Sequence, residues 1–147
     1  MKLPQTGGCQ CGTLRYEITQ APQLVYACHC TACQRMTSSA FSMAIVLPAE
    51  NFHLLAGEPQ AFQRTGTSGR VLTLWICPKC GSWICAGPNL SAVRNVRAGT
   101  LDDTVWLRPT VHFWTCNKQP WVMLPEGSES FETQPADLPA FLYSRPT

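Results

Sequence analysis

The chain has 147 residues, of which 45% are hydrophobic and only 14% charged, and its formal net charge is +2. That length suits a single domain spanning residues 1–147 with a real core, and the lack of any basic run argues against nucleic acid as a partner. No apolar stretch approaches the roughly 18 residues of a membrane span, and the first residues lack the apolar segment of a secretory signal, so no membrane association and a cytoplasmic location are expected.

Twelve prolines and ten glycines are spread along the chain, which favours many short strands and turns over long helices. Residues 13–18 alternate cleanly, with Leu14, Tyr16 and Ile18 on one face and Thr13, Arg15 and Glu17 on the other, which predicts a half-buried strand. Further strands are expected at 24–27, at 41–47 before Pro48, and at 52–55 before the turn Gly57-Glu58-Pro59. Residues 61–64 and 71–76 flank the turn-rich stretch 66–69 and read as a hairpin. Short strands at 83–86, 94–98 and 111–115 complete the set. Helical signals are weak: one turn at 31–36, and a short helix at 136–142 that Pro139 limits. The rest of the last twenty residues is expected to wrap the surface.

Nine cysteines dominate the chemistry. In a reducing compartment they suggest metal ligation more than disulfides, and their odd number fits a complete disulfide framework poorly. Cys77-Pro78-Lys79-Cys80-Gly81 is a knuckle: proline presets φ, glycine permits the left-handed turn, and two thiolates converge. Cys9-Gln10-Cys11 lies on the approach to a strand, where residues i and i+2 share a side. Pairing the two motifs gives Cys9, Cys11, Cys77 and Cys80, a closed structural zinc site with four sulfurs at about 2.3 Å.

Cys28, Cys30 and Cys33 form a second group, and the same alternation sends His29 to the opposite side. Three protein ligands leave a fourth position open, as in catalytic zinc sites. The competing reading is a second structural site completed by Cys85, Cys116 or a histidine. A redox role for the 77–80 pair lacks a thioredoxin-like context, and iron is an alternative metal for four cysteines. Two zinc ions held as thiolate complexes would move the net charge from +2 to about −1. Cys85 and Cys116 stand alone and read as packed free thiols.

The three cysteine motifs, in this order, resemble the glutathione-dependent formaldehyde-activating enzyme family, which also includes centromere protein V. Arg35, Ser39-Ala40-Phe41, the stretch Arg97 to Asp103, the stretch Pro109 to Trp114, and Gln119-Pro120-Trp121 extend the similarity over roughly residues 5–125. Cys85 and Cys116 depart from the family pattern. The resemblance implies an all-β, β-tent fold of short antiparallel strands with little helix. It implies the same division of ligands: Cys9, Cys11, Cys77 and Cys80 around a structural zinc, and Cys28, Cys30 and Cys33 around the catalytic one. It also implies a carbon–sulfur lyase that adds glutathione or a similar thiol to formaldehyde or another small carbonyl.

Within that reading Arg35 is a candidate for gripping a substrate carboxylate, and His112 and Trp114 are candidates for lining the pocket. Asp102 and Asp103 are expected to shape a turn. A non-enzymatic, zinc-stabilised binding module of the same fold is the alternative. A sulfoxide reductase is a third reading, and it needs a reactive thiol at Cys85 or Cys116.

Overall fold

The computed structural model describes every residue except 67, 68, 88–91, 144, 146 and 147, and residue 143 by its backbone alone. The expected hairpin link at 66–69 therefore lies partly outside the described residues. The alternation at the N-terminus builds the first layer. Strand β1 (Gln5–Gly8) pairs antiparallel with β2 (Arg15–Ile18), which pairs antiparallel with β5 (Phe52–Ala56), giving a three-stranded sheet. β1 has no hydrophobic alternation and was not expected as a strand. It lies flat over the Tyr16 ring because Gly7 has no side chain: a Cβ there would sit 2.4 Å from the Tyr16 hydroxyl and 2.5 Å from the Thr100 carbonyl.

The second sheet has eight strands. In chain order these are β3 (Leu24–Cys28), β4 (Ser42–Pro48), β6 (Gln60–Thr65), β7 (Val71–Ile76), β8 (Trp83–Gly87), β9 (Val93–Arg97), β10 (Val111–Phe113) and β11 (Glu129–Ser130). Their spatial order is β11-β10-β3-β4-β9-β8-β7-β6. Most neighbours are antiparallel, as expected, and the 61–64 and 71–76 segments do pair as a hairpin. One edge differs from the expectation of antiparallel strands: β10 runs parallel to both β3 and β11. The fold is all-β, in the β-tent class expected from the sequence. Two short α-helices, α1 (Thr31–Thr37) and α2 (Leu138–Tyr143), lie where the weak helical signals stood. No helix among the described residues is long and apolar enough to cross a membrane.

Period-two alternation gives the eight-stranded sheet two different faces. One face carries Ile45, Leu47, Val96 and Cys85, which pack with Leu14, Tyr16 and Ile18 of the small sheet as the main core. The opposite face carries Leu24, Val46, Val111 and Phe113, packed with Leu142 of α2. β4 is buried on both faces, which is why residues 42–47 read as a nearly continuous apolar run. The Tyr16 hydroxyl is buried and lies 2.8 Å from Thr100 Oγ1, so its polar end is satisfied inside the core.

Asp102 ties the small sheet to the turn after β9. Its carboxylate accepts both guanidinium arms of Arg15 and the Thr6 hydroxyl. These contacts, the Arg15 hydrogen bond foremost, hold the Asp102 pKa below its usual value. A carboxylate whose pKa is depressed by folding adds stability above its unfolded pKa, and that stability disappears as pH falls through the folded value. Both partners are partly exposed, so Asp102→Asn should cost about 0.5–1 kcal/mol at neutral pH. Denaturant unfolding of both proteins should show the difference shrinking as pH falls through the carboxylate range. A difference that holds constant with pH would assign the loss to packing instead.

Candidate metal centres and the cleft over one of them

The N-terminal pair Cys9 and Cys11 follows β1 directly. Gly12, at φ +74°, turns the chain back so that its amide donates to the Cys9 carbonyl at 3.0 Å. The Leu14 amide donates to Cys9 Sγ at 3.2 Å. The knuckle follows β7. Its loop is closed by the Gly81 amide on the Cys77 carbonyl and the Cys77 amide on the Ser82 carbonyl, both at 2.9 Å, with Gly81 at φ +75°. The two loops meet through Ser82, whose Oγ accepts from the Gln10 amide at 3.1 Å.

The four sulfurs of Cys9, Cys11, Cys77 and Cys80 lie within 4.8 Å of one another. Cys9 to Cys11 is 3.4 Å and Cys11 to Cys77 is 3.8 Å. A tetrahedral ion with metal–sulfur bonds of about 2.3 Å requires sulfur–sulfur edges of about 3.8 Å, so the set fits a closed four-thiolate site. Hydrogen bonds from the Ser82 hydroxyl, then from the Ser82 and Cys11 amides, pull the Cys80 thiol down to about 5. This cysteine is predisposed to be the thiolate that a metal needs.

The second set is assembled by the end of β3 and the start of α1. Cys28 is the last residue of β3, Cys30 caps α1, and Cys33 lies in its first turn, with the Cys33 amide donating to Cys30 Sγ at 3.4 Å. The three sulfurs also lie within 4.8 Å of one another. Cys30 and Cys33, followed by burial, drive the Cys28 thiol far above its ordinary range. Three sulfurs at this spacing, two of them on buried cysteines, resist ionising together without a cation among them, and three soft thiolates suit the same class of metal as the first site. Neither set includes a histidine, a carboxylate or a disulfide among the described residues.

His29 does turn away, as its strand alternation requires. Its Nε2 lies 3.1 Å from Nδ1 of His112 in a buried, stacked pair. Burial, then His112 and Lys118, lowers the His29 pKa to about 4. His112 does not line the cleft described below. It pairs with Ala27, one residue out of step with Cys28, so it points to the opposite face of the sheet. Arg35 is exposed on α1 and is likewise absent from the cleft wall. Trp114 is there. It adopts φ +60°, which ends β10 two residues before the expected limit and turns the ring into the cleft.

The cleft has a volume of about 170 Å³ and carries Cys28, Cys30 and Cys33 in its wall. Register explains its other contents. Phe113, Cys28 and Ser42 stand in one row across β10, β3 and β4; Tyr26, Ala44 and Arg97 stand in the next across β3, β4 and β9. Arg64 pairs with Leu72 on the same face. Arg64, Arg70 and Arg97 all line the cleft, and no acidic side chain does among the described residues. Arg97 is only 7% exposed, and its guanidinium stacks on Trp83 at 4.1 Å. Sequence reasoning missed these three arginines. The one available signal was the alternation in 93–98, which puts Arg97 on the same strand face as Asn95.

Fold and donor sets define an all-β chain with one four-cysteine cluster and one three-cysteine cluster in a cleft wall, both of a spacing that could hold a metal ion. A sequence model described as glutathione-dependent formaldehyde-activating enzyme matches residues 4–117, well over half the chain. The chain belongs to that family. Among solved structures, it is similar to a Rhodobacter sphaeroides protein whose crystal structure came from structural genomics. The TM-score is 0.52 at 17% identity, covering 71% of this chain and 91% of that one, which speaks for the fold alone.

Cys85 and Cys116 stay outside both clusters. Cys85 is 3% exposed, and burial pushes its thiol up to about 12, which makes it a poor nucleophile. Cys116 is exposed. A maleimide applied to metal-replete protein should therefore label Cys116 first and leave Cys85 unmodified until unfolding, as read by peptide mass mapping. Prior treatment with a strong chelator should open the seven clustered cysteines to the reagent. Rapid native labelling of Cys85 would contradict this assignment.

Proposed function

We propose that the protein is a two-zinc enzyme of carbon–sulfur lyase type, adding glutathione or a similar thiol to formaldehyde or another small carbonyl. The observation that carries this reading is the placement of Cys28, Cys30 and Cys33 in the wall of a cleft. These three thiolates would hold a zinc ion, which would supply the Lewis acidity that keeps a substrate thiol deprotonated and nucleophilic.

The chain's own residues do the rest. Cys9, Cys11, Cys77 and Cys80 hold a structural zinc that fixes the two loops at the edge of the small sheet. Phe113, Trp114 and Tyr26 give the cleft apolar walls that limit water near the reacting sulfur. Arg64 and Arg70 supply positive charge at its β6–β7 end with no acidic neighbour in the lining. That balance favours a thiol bearing carboxylates, such as glutathione, over a neutral one. The first cluster joins a loop of the small sheet to a loop of the large one, and the second lies on the large sheet, which supports one domain over residues 1–147. Nine free thiols suit the reducing cytoplasm. A binding module stapled by two zinc ions has no need of a cleft at the second staple.

The direct test mixes metal-replete protein with glutathione and ¹³C-formaldehyde and follows S-hydroxymethyl adduct formation by NMR exchange. The reading expects acceleration over the uncatalysed rate that Cys30→Ser removes. No acceleration would sink the named activity. The double change Arg64→Ala with Arg70→Ala should raise the KM for glutathione about tenfold, each lost charge contact being worth about 0.7 kcal/mol, and leave the KM for 2-mercaptoethanol unchanged.

A further inference from the structure

We propose that Arg97 is a catalytic residue whose guanidinium receives the carbonyl oxygen of the acceptor as the thiol adds to it. This rests on reading the cleft as the site of thiol–carbonyl addition. Three features of the structure point to Arg97 among the lining residues.

The first is its lack of a counter-charge. A guanidinium buried to this depth is costly without a carboxylate partner, and no acidic side chain touches Arg97 among the described residues. Its contacts are with neutral acceptors and are long: Nη1 to Ser42 Oγ at 3.3 Å, Nη2 to the Tyr26 hydroxyl at 3.4 Å and Nη2 to the Asn95 carbonyl at 3.5 Å. Nε is buried without a partner. A guanidinium has five N–H donors in a fixed fork, so Arg97 retains donor capacity for an oxygen in the cleft.

The second is its rigidity. The Trp83 ring under the guanidinium and the pairing of Arg97 with Ala44 hold the group in place before any substrate arrives. A preorganised donor of this kind is worth most where water is excluded. The third is its place beside the sulfurs. Ser42 accepts from Arg97 Nη1 at 3.3 Å and is the register partner of Cys28, so the guanidinium stands one side chain away from the three-cysteine cluster. Arg97 and the three cysteines line the same cleft, where a carbonyl adding to a sulfur would also meet the guanidinium.

The chemistry balances without an oxidant. The sulfur–carbon bond forms, the C=O π pair moves to oxygen, and the proton given up by the thiol ends on that oxygen. Arg97 stabilises the alkoxide until the proton arrives.

Metal-replete wild type, Arg97→Gln and Arg97→Lys are compared by kinetics of glutathione addition to formaldehyde, by calorimetric titration with formate as a one-carbon oxyanion, and by metal content. Arg97→Gln should lose about 100-fold in kcat, as for removal of an oxyanion donor, with the KM for glutathione within about threefold of wild type. It should bind formate about tenfold more weakly and keep its full metal content. Arg97→Lys keeps the charge and loses the fork, so it should fall between the two. It decides the question if Arg97→Gln fails to fold.

Unchanged kcat, unchanged formate affinity, no formate binding by wild type, or loss of metal in both variants would each overturn the proposal. The last would make Arg97 a structural counter-charge to the cysteines. If wild type itself forms no adduct, the reading of the reaction fails on its own. The formate titration then decides whether Arg97 is an oxyanion site.

Discussion

The structure turns on seven cysteine sulfurs crowded into two clusters, each spaced so that it could hold a metal ion. Cys11 and Cys77 stand 66 residues apart in sequence, and their sulfurs lie 3.8 Å apart. Without a metal, thiols this close resist ionising together, as the elevated Cys28 thiol shows in the second cluster. A metal held there would turn the same crowding into a cross-link between distant loops, its binding free energy offsetting the entropy of closing that long loop. The hydrogen bonds around Cys80 and the glycine turns at Gly12 and Gly81 have meaning in this light. They hold the sulfurs in position and offset their charge before the ion binds.

The eight-stranded sheet turns this constraint into a site by using its two faces for different purposes. One face meets the small sheet and is closed with Ile45, Leu47 and Val96. The other carries Cys28, Tyr26, Ser42 and Arg97 and is only partly covered by α2. A one-residue change of register would exchange the two sets. The closed cluster lies at the junction of the sheets, and the accessible cluster lies on the open face. The two cysteine clusters are therefore set in different surroundings by geometry, although both offer the same kind of ligand.

Much of this was legible in the sequence because it is local. Leu14, Tyr16 and Ile18 alternate because all three enter the core. The C-x-C spacing and the knuckle at 77–80 each bring two sulfurs together through short-range backbone geometry, and His29 follows the alternation away from them. What was not legible depends on strand register or on contacts distant in sequence. β1 forms because Gly7 fits over Tyr16, which leaves no hydrophobic pattern to read. His112 stands in the sequence as a polar residue among aromatics, but its pairing with Ala27 puts it behind the sheet. Arg97 enters the cleft because β9 pairs with β4 at Ala44, and nothing within 93–98 announces that partner.

The central claim is that seven cysteines divide into a four-sulfur and a three-sulfur metal site. Native mass spectrometry of the purified protein tests it most directly when wild type, Cys30→Ser and Cys77→Ser are compared. The account predicts two zinc ions per wild-type chain. It predicts one in Cys30→Ser with the β-sheet circular dichroism intact, and loss of the folded β signal in Cys77→Ser. A wild-type chain with a single ion, or a Cys30→Ser protein that keeps both, would contradict it.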